Sequence, residues 1–521
     1  MTDSTKRHPV ILFPGIAGSR LKTKNKNGEE APLWFNKFQM ALLSTNLSST
    51  DISSTQENDI SSTQEEDLAV SRAIVASYKT EADIQQDTNF TPVEAWRTHM
   101  KLQANGKKPE IEGENDEIFN REVEGLKGIK NVSNPREGFL PDEDMRYFHN
   151  LVERLKKEYS YTEDEDLIGH PYDWRVAPGG LEDRYQTFTN LKTKIENLYN
   201  HEDRHLAVVL IAHSMGNRVV QYFLKWVEAN VSKAWIDQYI ERYIAISPPW
   251  IGSPQAIYRL SDSAIVLPSG GTQIALKGMK DVLQSFSSIP WLLPVEGQYQ
   301  YFNTEKNKEG EYIFGYVANS ASRALADYQP ITVQQTLEKA NAQTTTLAHQ
   351  TNFYQNDPLI TETDKPIGSE LVKCPPVQKL DVIYSTGFPT PVGAYYQETN
   401  SKLEIATTLG SDTPIPYLDK TGLVIKKGII LETPATTQQI EVEVADGAKQ
   451  ENSGDLVVPY GSLTYFKKWQ KAEPNRHIVG HEFSAQPTSG GVQYPSVNHN
   501  AIVAHPDAIT KIIQLLSESN A

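Results

Sequence analysis

The residue whose setting most clearly suggests chemistry is Ser214. It lies in LAVVLIAHSMGNRVVQYFLKWV, Leu206 to Val227, where an apolar β-branched run stops at Ala212-His213-Ser214-Met215-Gly216 and an amphipathic run begins. The first run reads as a buried strand. Val219, Phe223 and Val227, with Val220 and Leu224, then recur at i, i+4, the spacing of one helix face. A serine between a strand and a helix, with small residues two before and two after it, forms a nucleophile elbow, because larger neighbours would collide with so tight a turn. Ala212 stands where glycine is the commoner residue.

A serine hydroxyl attacks a carbonyl only when a base takes its proton, and the base needs an acid to fix its tautomer. Ser214, Asp455 and His499 follow the order Ser, acid, His, which is that of the α/β-hydrolase triad. Asp455 sits between Asn452-Ser453-Gly454 and Leu456-Val457-Val458-Pro459, and His499 lies in Val497-Asn498-His499-Asn500 ahead of a closing helix, Pro506 to Leu516. Competing acids are Asp381, inside a strand, and Asp412 and Asp446, in hairpin turns; each reads as structural. His213 adjoins the serine, but its side chain is expected to pack away from the pocket. His505 belongs to the start of the last helix, and His477 and His481 remain alternatives for the base.

The oxyanion of a tetrahedral intermediate needs backbone donors. Met215 N–H is one, and the glycine-rich loop Gly15-Ile16-Ala17-Gly18-Ser19 offers the other, with Ile16 the first choice and Ala17 the next. The histidines lack the spacing of metal ligands, so neither metal nor cofactor is expected.

The elements that must position these residues alternate along the chain. A short buried strand opens HPVILFPGIAGSRL at 8–21 and ends at Pro14-Gly15. Asp142 to Tyr159 reads as a helix with Met145, Phe148, Leu151 and Leu155 on one face. EDLIGHPYDWR at 165–175 supplies a strand and a loop, and Leu181 to Tyr199 a further helix. With strands at 206–211 and 239–247, the order implies an α/β fold: a mainly parallel sheet flanked by helices. The alternation lapses after residue 251 and resumes at the strand 380–386. The intervening 252–376, with its apolar Ile289-Pro290-Trp291-Leu292-Leu293-Pro294, is read as a cap or lid over the pocket. Antiparallel hairpins are expected at 402–408, 423–431 and 439–444. The organisation is thus 1–35, start of the core; 36–138, a polar insertion; 139–251, core with the elbow; 252–376, cap; 377–521, the C-terminal part of the core. Within the polar insertion DISSTQEN at 51–58 is followed directly by DISSTQEE at 59–66, too poor in apolar residues to order itself.

Composition narrows the function. A net charge of −16 over 521 residues argues against nucleic acid and against electrostatic docking to anionic lipid, so any lipid contact must be apolar and local. Mean hydropathy is −0.49, and no run approaches the ~20 apolar residues that span a bilayer. The N-terminal residues show no export signal, which gives a cytoplasmic expectation with leaderless export left open. Cys374 is the single cysteine, so no intrachain disulfide forms.

Taken together, the motifs resemble the lecithin:cholesterol acyltransferase family, which includes lysosomal phospholipase A and the phospholipid:diacylglycerol acyltransferases. They are PVILFPGIAGSRL at 9–21, PYDWR at 171–175, AHSMGN at 212–217, SPPWIG at 247–252, WLLP at 291–294, GFPTP at 387–391, GDLVVP at 454–459 and NH at 498–499. The resemblance implies a capped α/β-hydrolase that transfers or hydrolyses fatty acyl esters. It gives Ser214 as nucleophile, Asp455 as acid, His499 as base, and Ile16 and Met215 as oxyanion donors. It also implies that Tyr172, Asp173, Trp174 and Arg175 shape the floor and rim of the acyl pocket and that Trp291 belongs to the cap. The family's GDGTVP-like acid motif is here GDLVVP, and the disulfides of secreted members cannot form.

The expected activity is that of a serine esterase of the lipase or acyltransferase type. It would pass an acyl group from a phospholipid or other fatty acyl ester to water or an alcohol. The cap's apolar edge, Ile289 to Leu293, is expected to touch membrane or micelle surfaces transiently. The alternative is a non-catalytic lipid-binding or interaction module on the same fold.

Overall fold

Along the strand before Ser214, Val208, Leu210 and Ala212 pack into one buried cluster and Val209 and Ile211 into another, so the run is apolar throughout because both faces are covered. The computed structural model describes residues 7–24, 30–34, 97–108, 119–131, 146–201, 205–261, 265–269, 272–276, 280–294, 305–319, 324–340, 357, 359–360, 373–400, 402–411, 415–417, 423–434, 443–444, 448–449, 452–485, 493–494 and 496–520. The 51–66 repeat and the candidate acids Asp412 and Asp446 lie outside them.

Among the described residues, six strands build the central sheet: β1 Val10–Phe13, β2 Leu167–Gly169, β3 Val208–His213, β4 Ile240–Ile246, β5 Lys379–Thr386 and β6 His477–Ser484. Their order is β6-β5-β4-β3-β1-β2, and every pairing is parallel. One face is covered by α1, His149–Tyr159, and α4, Pro506–Asn520, through Leu151, Leu155, Ile509 and Ile512. The other carries α2, Thr187–Asn200, and α3, Met215–Asn230, through Leu191, Ile195, Val219 and Phe223. A parallel sheet with helices on both faces and a serine at the β3–α3 turn is an α/β-hydrolase fold.

The helix read over Leu181 to Tyr199 is two helices. Pro178–Tyr185 stops where Gln186 takes φ 51°, and α2 starts anew, its first N–H groups received by the Glu182 carboxylate at 2.7 Å from Phe188 and 3.2 Å from Thr189. In the second, seven-stranded sheet, Gly315–Ala318 pairs in parallel with Thr390–Thr399, which pairs antiparallel with Ile429–Glu432. Strands from the stretch read as a cap and from the later hairpins therefore form one layer.

Buried imidazoles tie this packing to pH. His213 is held well below the ordinary imidazole range, first by burial and then by neighbouring His499. His170, whose Nε2 is shut off from solvent beside the Phe13 ring at 5.0 Å, is pushed down to about 3, first by burial and then by Lys194. Both folded values lie below that of a free histidine, about 6.5, so the unfolded chain takes up protons first as pH falls. The stability these groups contribute is complete above about pH 6.5 and is lost as pH falls towards the folded values, at about 1.4 kcal/mol per pH unit for each histidine. Urea midpoints measured from pH 7 to pH 5 should therefore drop, and His170→Phe should remove one histidine's share of the slope. A midpoint that stays constant across this range would contradict the assignment.

Candidate active site

The elbow is built by two strands that end together. Phe13 of β1 is in register with Ala212 of β3, so the loop leaving β1 meets the turn leaving β3. A Cβ added to Gly216 would come within 2.5 Å of the Pro14 carbonyl, and one added to Gly15 within 2.8 Å of Ser214 Cβ. Only glycine fits at either crossing. Ser214 itself sits at φ 53°, ψ −126°, a conformation a side chain rarely adopts. It is held there by Ser214 N–H donating to Ile246 O at 3.0 Å and by the buried Asn217 amide donating to Ser214 O and Ile246 O, both at 3.0 Å. Tyr243 O–H in turn donates to Asn217 Oδ1 at 2.7 Å. Met215 opens α3, where the first backbone N–H groups have no partner within the helix.

Ser214, His499 and Asp455 meet in one hydrogen-bonded line. His499 Nε2 is 2.9 Å from Ser214 Oγ, and His499 Nδ1 is 2.7 Å from Asp455 Oδ2. A carboxylate only accepts, so Nδ1 carries the proton and Nε2 is left to accept from the serine. Ser214 is 8% exposed, His499 3% and Asp455 0%, which keeps the line in a low-dielectric setting. His499 N–H also donates to Asp455 O at 3.0 Å.

Asp455 is fixed by its own loop. Its Oδ1 accepts from Val457 N–H at 3.1 Å and Val458 N–H at 2.7 Å, leaving Oδ2 for the histidine. Buried Glu432, at the end of a strand of the second sheet, receives Gly454 N–H at 2.6 Å and Tyr460 N–H at 2.8 Å on one oxygen. The GFPTP segment braces the other side. Gly387 and Phe388 N–H groups donate to Ser453 O and Gly454 O, both at 3.0 Å, and Thr390 Oγ1 accepts from Leu456 N–H at 2.9 Å. Leu456 stands at φ 88°, backbone that favours glycine.

The Gly15–Ser19 loop passes against Ser214 and turns through a 3.0 Å Gly18 N–H to Gly15 O bond, with Ala17 at φ 61°. Tyr172, Asp173, Trp174 and Arg175, expected to shape the floor and rim of a pocket, are buried, at 1%, 0%, 3% and 0% exposure. Their polar atoms are taken up by neighbouring segments. Tyr172 O–H donates to Pro14 O at 2.7 Å, Tyr172 N–H to Ser19 Oγ at 3.1 Å and Trp174 Nε1–H to Ser19 O at 3.0 Å, so these two residues brace the loop from behind. Arg175 forms a two-pronged pair with Asp173 at 2.9 and 2.7 Å and donates to the carbonyls of His99 and Met100.

Of the apolar edge expected at Ile289 to Leu293, most is buried too. Ile289, Trp291 and Leu293 are at most 1% exposed. The short 3-10 helix Pro290–Leu292 packs inside, with the Trp291 ring 5.7 Å from Tyr222 and its carbonyl accepting from Arg218 at 3.3 Å. Both partners sit on α3, so Ile289, Trp291 and Leu293 pack into the core beside that helix, while Leu292 is only partly buried.

The other titratable candidates separate cleanly. Asp381 lies near the start of β5, ion-paired with Arg242 and 2.8 Å from His481 and 3.3 Å from His477, towards the sheet edge opposite the elbow. His505 precedes α4 and accepts from Asp507 N–H at 3.3 Å. His213 packs in the core with Nε2 2.8 Å from His499 O. Among the described residues no group of His, Cys, Asp and Glu is arranged to hold a metal ion, and no helix is long and apolar enough to cross a membrane.

The sequence model of the lecithin:cholesterol acyltransferase family matches residues 88–506, most of the chain and all three residues of the hydrogen-bonded line. The chain belongs to the lecithin:cholesterol acyltransferase family. Within the family it is 27% identical to a phospholipid–sterol O-acyltransferase of Arabidopsis thaliana over 363 residues, 58% of this chain and 52% of the relative. It is 29% identical to the lysosomal phospholipase A and acyltransferase of Rattus norvegicus over 255 residues, 48% of this chain and 51% of that one. A phospholipid:diacylglycerol acyltransferase of Schizosaccharomyces pombe matches at 40% identity over 102 residues, 19% of this chain and 16% of the relative. The chain thus spans about half the length of the first two.

Set beside the family's GDGTVP-like motif, Leu456 occupies the position of the second glycine, and its φ of 88° shows why glycine suits that place. Sequence reading did not single out Glu432, Thr390 or Asn217 for the site. Thr390 and Asn217 lie within the GFPTP and AHSMGN motifs, whereas Glu432 ends an ordinary strand and carries no local signal. A side chain at positive φ costs about 1–3 kcal/mol, while glycine's extra unfolded-state freedom costs about 0.5–1 kcal/mol. Leu456→Gly should therefore hold or raise Tm, whereas Gly216→Ala, with its Cβ driven into backbone, should lower Tm by several degrees. Calorimetry on the two variants checks the pair of signs.

Proposed function

We propose that this chain is a serine acyltransferase or phospholipase that forms an acyl-enzyme on Ser214 from a phospholipid or other fatty acyl ester. The observation that carries the reading is the Ser214–His499–Asp455 line, 2.9 and 2.7 Å per link, in a chain of this family. Relatives named for phospholipase A and O-acyltransferase activities support the same substrate class.

In this reading Ser214 Oγ attacks the ester carbonyl as His499 Nε2 takes its proton, and Asp455 stabilises the imidazolium through Nδ1–H. Met215 N–H, and Ile16 N–H from the loop against Ser214, receive the developing oxyanion. The C–O bond to the glycerol breaks, and His499 returns the proton to the departing alkoxide, releasing a lysolipid. Water or an alcohol, deprotonated by His499, then takes the acyl group from Ser214. Both outcomes share the first half-reaction and differ only in which acceptor reaches the acyl-enzyme.

Ser214→Ala should abolish labelling by a fluorophosphonate probe with Tm within a degree or two, and persistent labelling would remove Ser214 from the role. Asp455→Asn, which inverts the hydrogen-bonding polarity at Nδ1, should lower kcat by about 10⁴-fold by comparison with other triads. Phosphatidylcholine vesicles with and without a long-chain alcohol separate the two products. Acyl ester formed only in the presence of the alcohol supports transfer, and free fatty acid alone in both arms supports hydrolysis.

A further inference from the structure

Three groups outside the Ser–His–Asp line, Gly15, Tyr147 and His213, link the loop against Ser214 to the backbone of His499. Gly15 N–H, at the root of the loop against Ser214, donates to Tyr147 Oη at 2.9 Å. Tyr147 O–H is hydrogen-bonded to His213 Nδ1, with the rings 5.4 Å apart at 65°. His213 Nε2 lies 2.8 Å from the carbonyl oxygen of His499, and the two imidazoles stand 5.0 Å apart.

Donor and acceptor chemistry gives this run a single direction. A backbone N–H only donates, so Tyr147 Oη accepts from Gly15 and its own hydrogen is free to go to His213 Nδ1. A backbone carbonyl only accepts, so His213 carries its proton on Nε2 and donates to His499. Burial holds Tyr147 protonated and His213 neutral, the two states this direction requires. The chain Gly15 N–H, Tyr147 O–H, His213 Nε2–H, His499 C=O spans from the loop to the backbone of the base.

We infer that Tyr147 and His213 are positioning residues that set the Gly15–Ile16 loop and His499 in register with each other across Ser214. This inference rests on the acyl-enzyme reading above. Among the described residues, Tyr172, Trp174 and Trp34 hold the loop's Pro14, Ser19 and Ala17 carbonyls, and Tyr147 receives its Gly15 N–H. His499 is anchored to the acid through Nδ1 and its own N–H, whereas its carbonyl receives His213. Without the link, the oxyanion donors and the base would sit on separately moving segments, and small misplacements of such groups cost catalysis more than binding.

Tyr147→Phe deletes one oxygen and keeps the ring. It should slow phosphonylation of Ser214 by a fluorophosphonate probe and lower kcat on a soluble short-chain ester by about tenfold to a hundredfold, with KM within about twofold and Tm nearly unchanged. Two substitutions split the link. His213→Gln keeps a donor in the place of Nε2 but loses the acceptor for Tyr147, so it should match Tyr147→Phe, and the double variant should lose no more than either alone. His213→Asn keeps an acceptor for Tyr147 and loses the donor to His499, which breaks the same run at its other end, so adding Tyr147→Phe to it should likewise cost little further activity. Wild-type kcat in folded Tyr147→Phe, or simple additivity of Tyr147→Phe with His213→Gln, would overturn the inference while Ser214→Ala remains unlabelled. Labelling that survives in Ser214→Ala would instead overturn the acyl-enzyme reading, and this inference with it.

Discussion

Two neighbouring parallel strands end in register, and the site depends on how the chain survives that collision. Phe13 and Ala212 are paired, so the backbone leaving each strand crosses the other within a residue or two. Gly15 and Gly216 are the residues that make the crossings possible, since a Cβ at either would meet atoms at 2.8 Å or less. The same crowding holds Ser214 in a conformation that its side chain would otherwise avoid, and brings a loop rich in backbone N–H groups against its hydroxyl. Close packing of backbone is thus the source of both the strained turn at Ser214 and the nearness of the Gly15–Ser19 loop.

The acid reaches the line by a different physical route. Neither β5 nor β6 carries it; the 452–460 loop is held by buried Glu432 from the second sheet and by the segment 387–391 that leaves β5. One carboxylate oxygen of Asp455 is committed to backbone donors, which aims the other at His499. The second sheet therefore helps to orient Asp455 towards His499. Leu456 shows how tightly the loop is determined, because its neighbours hold it at φ 88° where a side chain is disfavoured.

Behind the Gly15–Ser19 loop lies a fully buried ion pair between Asp173 and Arg175, a costly feature in electrostatic terms. Removing two charges from water is repaid only when their hydrogen-bonding capacity is met, and here the guanidinium also satisfies the carbonyls of His99 and Met100. The arrangement joins the 97–102 segment to the PYDWR turn, which in turn supports the loop through Tyr172 and Trp174. The four PYDWR residues Tyr172 to Arg175 thus tie three segments together inside the core.

The chain's order of residues by itself determined the elbow and the parallel sheet, because each rests on a local signal, and it offered Asp455 and His499 as partners of Ser214 through the order of distant motifs. An apolar run, a 3.6-residue period and small residues flanking a serine are all readable within about twenty positions. The direction in which PYDWR and Ile289–Leu293 face was decided only by tertiary structure, since an aromatic or apolar residue suits a buried wall as well as a pocket rim. The same holds for Glu432, Tyr147 and His213. Their partners lie 22, 132 and 286 residues away, and no local pattern records a hydrogen bond between segments that meet only after the sheet has closed.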